Sequence, residues 1–144
     1  MRFWDSSALV PFLIAESSSD DVRRVLAEDR SLVVWWGTSV ECTAAVARAE
    51  REGRIGQDGL EAAIRDLGRL RGDWAEVDAI SPVRLAAERL TRTHPLRAGD
   101  ALQLSAALVA SEGTPSTLPF VTLDDRLAAA AFREGFPVIR LGAP

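Results

Sequence analysis

Short apolar runs and stretches of helical periodicity alternate along the whole chain, the pattern of βαβ units around a parallel sheet. Phe3 and Trp4 predict a strand over residues 2–5. A helix over 7–15 follows, with Pro11 near its first turn, where a missing N–H costs least. After a break at Ser17 to Ser19, Val22, Val25 and Leu26 share one helical face. Residues 32–36, Leu-Val-Val-Trp-Trp, are apolar without interruption and predict a strand buried on both faces. Adjacent strand residues face opposite ways, so Trp35 and Trp36 are both expected in the core, with base stacking by one of them as the alternative.

A third helix is predicted from Thr38 to just before Gly53, and a fourth on Leu60, Ile64 and Leu67. A weak strand over 75–78 precedes a fifth helix carrying Val83, Ala86, Ala87 and Leu90. Beyond the His94-Pro95 break, Ala101, Leu104 and Leu108 mark a sixth helix closed by Gly113. Residues 120–123 predict a strand, Leu127, Ala130 and Ala131 a seventh helix ended by Gly135, and residues 138–141 a last strand. No repeat or linker interrupts the series, so one domain over 1–144 is expected.

Composition narrows the classes. Of 144 residues, 47% are hydrophobic and 26% charged, which supports one packed core and argues against disorder. No apolar stretch reaches the ~20 residues of a membrane span. Arg2 ahead of the run 8–15 imitates a short signal peptide, but Asp5 and Pro11 interrupt it, and a buried helix is the better reading. Cys42, the single cysteine, excludes an intramolecular disulfide; it suits a reducing, cytoplasmic compartment and reads as a small buried side chain. The net charge of −4 argues against gripping nucleic acid by bulk charge. All 17 basic residues are arginine, the side chain suited to bidentate phosphate contacts.

Four acids stand at predicted helix starts: Asp5, Glu41, Asp100 and Asp124. In an open parallel sheet, strand C-termini and helix N-termini share one edge, where ligands bind. Each acid taken alone reads as a helix cap before it reads as a catalyst, and Thr38 with Glu41 matches the capping box. Taken together they carry chemistry. Four carboxylates within ~5 Å repel by ~3 kcal/mol per pair at an effective dielectric near 20, far beyond the ~1 kcal/mol each gains from a helix dipole. Such a cluster needs protons or cations, and oxygen ligands without thiol or imidazole select Mg²⁺ or Mn²⁺.

Four segments resemble the motifs of PIN-domain nucleases, in family order and over nearly the whole chain. They are Phe3-Trp4-Asp5-Ser6-Ser7-Ala8-Leu9, Thr38-Ser39-Val40-Glu41, Leu96-Arg97-Ala98-Gly99-Asp100-Ala101-Leu102-Gln103-Leu104 and Val121-Thr122-Leu123-Asp124-Asp125-Arg126-Leu127. The third match is the most specific. Size and helical pattern are similar to the VapC toxins of type II toxin–antitoxin pairs. The resemblance implies a three-layer α/β/α PIN-like fold with a parallel five-stranded sheet. It also implies an acidic pocket for one or two Mg²⁺ or Mn²⁺ ions held by Asp5, Glu41, Asp100 and Asp124. Asp125 stands beside Asp124 as the alternative fourth acid.

The function so implied is a metal-dependent endoribonuclease with an antitoxin partner and a tendency to self-associate. Asp5 and Asp100 are then ligands, Glu41 and Asp124 hold a second ion or a water, and Ser6 and Thr122 support the acids or form local turns. Arg97 is a candidate contact for substrate phosphate or an inhibitor, although plain solvent exposure is the better reading. His94, beside Pro95, reads as a surface residue rather than a general base. Receiver-type phosphoacceptor domains normally rely on a lysine, which is absent, and dehalogenase-like phosphatases need Asp-x-Asp where this chain has Asp5-Ser6-Ser7. The non-enzyme alternative is an inactive PIN-like module that binds protein.

Overall fold

The computed structural model describes residues 1–142. Its strands are β1 (Arg2–Trp4), β2 (Leu32–Trp35), β3 (Ala75–Val77), β4 (Phe120–Thr122) and β5 (Val138–Arg140). The helices are α1 (Ser6–Leu13), α2 (Ser19–Glu28), α3 (Thr38–Arg51), α4 (Gln57–Asp73), α5 (Ser81–Thr93), α6 (Ala98–Ala110) and α7 (Asp125–Arg133). All five strands pair in parallel, in the order β3-β2-β1-β4-β5.

Period-two alternation sends successive side chains to opposite faces. Trp4, Val34 and Val121 join α1 to α4 in one apolar layer. Phe3, Val33, Trp35 and Phe120 join α5, α6 and α7 in the other. Phe3 and Phe120, paired in register, stack at 5.3 Å and anchor the second layer, with Phe136 beside them. The result is a helix–sheet–helix sandwich. The edge strand β3 is mostly exposed, which explains its weak apolar signal. Among the described residues, no helix is long and apolar enough to cross a membrane.

The strand order reverses at β1. The chain steps outward from β1 to β2 and β3, then crosses back to place β4 on the other side of β1. A crevice at such a switch point, beyond the strand C-termini, is where an open α/β sheet binds ligands.

Three expectations need correction. The first helix covers Ser6–Leu13, so Pro11 lies in its second turn, where its ring leaves the Ser7 carbonyl without an intrahelical donor. Trp36 is 55% exposed: β2 ends at Trp35, and Trp36 continues the ladder only through its N–H to Val77 O. Its ring meets Trp35 edge-on at 6.4 Å, outside the layer that buries Trp35.

His94 is no surface residue. Its side chain is 7% exposed, and Nε2 lies 2.7 Å from Glu134 Oε1. Arg89 donates to both oxygens of the same carboxylate, at 3.2 and 2.8 Å, and holds its pKa below the ordinary range, with a smaller contribution from His94. This trio ties the end of α5 to the end of α7. Glu134→Ala should cost ~1–3 kcal/mol in urea unfolding, because it strips the buried imidazole of its partner while Nδ1 already lacks one. Arg89→Ala removes a half-exposed pair and should cost under ~1 kcal/mol. Equal losses in the two variants would show that the buried His94 contact is not what the trio secures.

Candidate active site at the sheet edge

Asp5 follows β1 directly and is the N-cap residue of α1, in extended conformation and without a capping bond of its own. It is 2% exposed. Its carboxylate is spoken for by hydroxyls. Thr122 Oγ1, at the end of the adjacent β4, donates to Oδ2 at 2.8 Å, and Ser7 Oγ donates to the same oxygen. These hydroxyls are themselves oriented: Asp124 N–H donates to Thr122 Oγ1 at 3.0 Å and Leu123 N–H to Ser7 Oγ at 3.1 Å. Burial nevertheless dominates and pushes the Asp5 pKa up to about 6, against the lowering effect of Ser7 and Thr122. The charges of Glu41 and Asp100 add to the rise, which puts both within electrostatic reach.

Glu41 arrives from the other side of β1. It lies in the first turn of α3, whose N-cap residue, Gly37, comes two residues after the end of β2. A side chain at Gly37 would strike the Trp35 indole, since a Cβ there would lie 2.6 Å from Nε1; glycine lets the helix begin this close to the sheet. The expected capping box does not form: Gly37 is the N-cap, and Thr38 is already helical and fully buried. Thr38 Oγ1 instead accepts from Gln103 Nε2 at 3.2 Å. That same Nε2 donates to Glu41 Oε1 at 3.2 Å, and Ser6 Oγ donates to Glu41 Oε2 at 2.8 Å. Both carboxylate oxygens are thereby fixed. Desolvation raises the Glu41 pKa, opposed by these two donors and reinforced by the Asp100 charge.

Gln103 was not singled out from the sequence as a site residue. It is fully buried on α6, one turn after Asp100, and links the two helical layers across the sheet edge. The available signal was a lone amide inside the apolar stretch Ala101 to Leu108. Ser7 was missed as well, its role visible only once β4 lies beside α1. Cys42 behaves as expected, fully buried, with its thiol pushed up to about 12 by burial and then by Glu41 and Asp5, so it is no nucleophile.

Asp100 and Asp124 complete the edge. Asp100 sits in the first turn of α6, with its pKa raised by desolvation and then by the Asp124 charge, while Arg97 and Arg126 oppose the rise. Asp124 is the true N-cap of α7: its Oδ1 accepts from Leu127 N at 2.7 Å. Asp125 points outward, 92% exposed, with Arg140 at 3.7 Å. A cavity of about 530 Å³ opens here, lined by Pro95, Arg97, Gly99, Asp100, Asp124, Asp125 and Arg126. A separate hollow of about 450 Å³ between α1, α2 and α4 contains none of these acids.

All four predicted acids therefore gather at the carboxyl end of β1 and β4, with Glu41 from one helical layer and Asp100 from the other. No family model and no curated protein matches the chain. Among solved structures, the chain is similar to PAE2754 from Pyrobaculum aerophilum, with 21% identity, a TM-score of 0.62, and 90% of this chain and 83% of the other covered. It is also similar to FitAcB from Neisseria gonorrhoeae, with 16% identity, a TM-score of 0.68 and 97% of each chain covered. The fold is PIN-like. Within this PIN-like frame, no group of three or more His, Cys, Asp or Glu side chains among the described residues is drawn together closely enough to hold a metal ion as it stands. The acids are spaced out by hydroxyls and an amide rather than closed into a cage.

Proposed function

We propose that the chain is a Mg²⁺- or Mn²⁺-dependent endoribonuclease that hydrolyses RNA phosphodiester bonds. The observation that carries this reading is the raised pKa of three carboxylates, Asp5, Glu41 and Asp100, brought to one edge from three different helix starts. Proteins do not keep such acids in a purely structural role cheaply, and perturbed carboxylates in a cleft are the mark of a functional site. The donor set fits the ion. It offers only oxygens, and hard oxygen donors suit Mg²⁺, which keeps several waters and takes one or two carboxylates, better than zinc.

Asp5 and Asp100 would hold the cation, and Glu41 and Asp124 a second ion or a water. When bound, the cation supplies Lewis-acid stabilisation of charge growing on the phosphoryl oxygens and makes water easier to deprotonate. The chain's own groups do the rest. Ser7 and Thr122 fix the face that Asp5 presents, and Ser6 and Gln103 fix Glu41. With its raised pKa, Glu41 can accept the proton of a water that attacks phosphorus as the opposite P–O ester bond breaks, and the leaving oxygen takes up a proton from solvent to depart as a hydroxyl. By resemblance to VapC proteins, the enzyme is the toxin of a toxin–antitoxin pair, inhibited by a partner protein and self-associating in the cytoplasm.

Two measurements test this. Purified protein should cleave RNA with Mn²⁺ or Mg²⁺ and stop with EDTA. Saturating Mn²⁺ should raise the midpoint of thermal unfolding by roughly 10 °C, since at ~100-fold excess over Kd a ligand of the native state adds ~2.7 kcal/mol. The open spacing of the acids favours one rival, an inactive PIN-like module that binds protein. Mn²⁺ without effect on either measurement would establish that rival and end the nuclease reading.

A further inference from the structure

We propose that Arg97 and Arg126 form a subsite for the phosphate next to the scissile one, so that the substrate is a strand with at least two consecutive phosphodiester groups. The inference rests on the nuclease reading and adds a substrate requirement to it. Both residues line the 530 Å³ cavity together with Asp100 and Asp124. Arg97 is the N-cap of α6 and Arg126 lies in the first turn of α7, so two helix N-termini and two guanidinium groups converge on one cavity.

Like most of the 17 arginines, neither makes an ion pair among the described residues; what sets these two apart is that both line the acid-bearing cavity and both place their charge on Asp100. Asp125, next in sequence to Arg126, lies 3.7 Å from Arg140 instead. Two cations whose charges already act on Asp100 weaken its hold on a metal cation by simple repulsion. Their placement makes chemical sense when the cavity receives an anion, which arginine binds through paired N–H donors.

The acids divide the edge accordingly. Asp5 and Glu41 do not line this cavity, whereas Asp100 lines it and carries electrostatic influence both to Asp5 and Glu41 and from the arginines. A phosphate being cut on the Asp5 side of Asp100 leaves its neighbour along the strand on the arginine side. In a chain of net charge −4, this gives polyanion affinity locally rather than by bulk charge.

The experiment pairs substrate and protein changes. Short RNA oligonucleotides carry one neutral methylphosphonate linkage, moved step by step along the strand. Binding is read by fluorescence anisotropy on the Asp5→Asn protein with Mg²⁺, and cleavage is read on the wild type. One linkage position should weaken binding about tenfold, the worth of a charge-assisted contact. Adding Arg97→Gln and Arg126→Gln should weaken the all-charged strand by about the same factor, lower the salt slope by about one, and abolish the effect of that linkage. In the otherwise wild-type enzyme the arginine changes should raise KM and spare kcat. A scan with no sensitive position, or one whose penalty survives intact in the arginine variants, overturns the subsite. Absence of cleavage by the wild type sinks only the nuclease reading, because the binding scan decides the subsite without it.

Discussion

Asp5→Asn should leave an inactive protein that is more stable than the parent. Cleavage of RNA should fall by ~10³-fold or more, since Asp5 is the most buried of the acids and the charge it supplies is what would draw a cation to the phosphate. Stability should move the other way. The carboxyl goes from its ordinary 3.8 to about 6 on folding. At ~1.4 kcal/mol for each pH unit between the two, ionised Asp5 costs the fold ~3 kcal/mol at neutral pH. An asparagine oxygen can still accept from Ser7 and Thr122, so the gain on substitution should reach ~1–3 kcal/mol, or several degrees in Tm.

The pH dependence gives a sharper check. Between about 6 and 3.8 the folded chain holds a proton on Asp5 that the unfolded chain has released. Lowering the pH through this window therefore stabilises the wild type relative to Asp5→Asn, and the advantage of the variant should vanish near pH 4. Urea unfolding at pH 4, 5.5 and 7 measures it. A variant less stable than the parent at pH 7, or one that still cuts RNA at the parental rate, contradicts the role given to Asp5.

Elements whose cause is local were readable in the chain. The run Leu32 to Trp35 declares a doubly buried strand, and the 3.6-residue spacing of Val83, Ala87 and Leu90 declares a buried helix face. The four acids were readable because each directly follows a strand or opens a helix, and parallel topology sends all those points to one edge. What escaped depends on contacts between distant segments. The exposure of Trp36 follows from where the covering layer ends, which no periodicity within 32–36 records. The burial of His94 follows from Glu134, 40 residues away. Thr38 and Glu41 carry a valid local capping signal, yet Gln103, 62 residues beyond Glu41, outbids the capping arrangement for both side chains.

That amide is where a single substitution should do most harm to the fold. In Gln103→Glu a carboxyl replaces the group that now donates to Glu41 Oε1 at 3.2 Å, at a position with no solvent exposure. Two facing carboxylates in such a place cannot both ionise, and they behave as a pair sharing one proton. Holding that proton at alkaline pH, or burying the second charge, should cost ~3–5 kcal/mol at pH 8. The sign of the pH effect is fixed: folding raises the pair above the ordinary Glu value, so the deficit relative to wild type should shrink as the pH falls toward 5. There the protonated carboxyl donates O–H to Glu41 and restores the lost contact. Gln103→Leu separates positioning from the added charge. It removes the donor to Thr38 and Glu41 without adding a charge, so stability should fall by ~1–3 kcal/mol, less than in Gln103→Glu at pH 8, while kcat falls ~10–100-fold with KM held. Urea unfolding at pH 5 and 8 with single-turnover cleavage covers both variants. A Gln103→Glu protein as stable as wild type at pH 8, or a deficit unchanged in acid, would mean that Glu41 is not held by this residue.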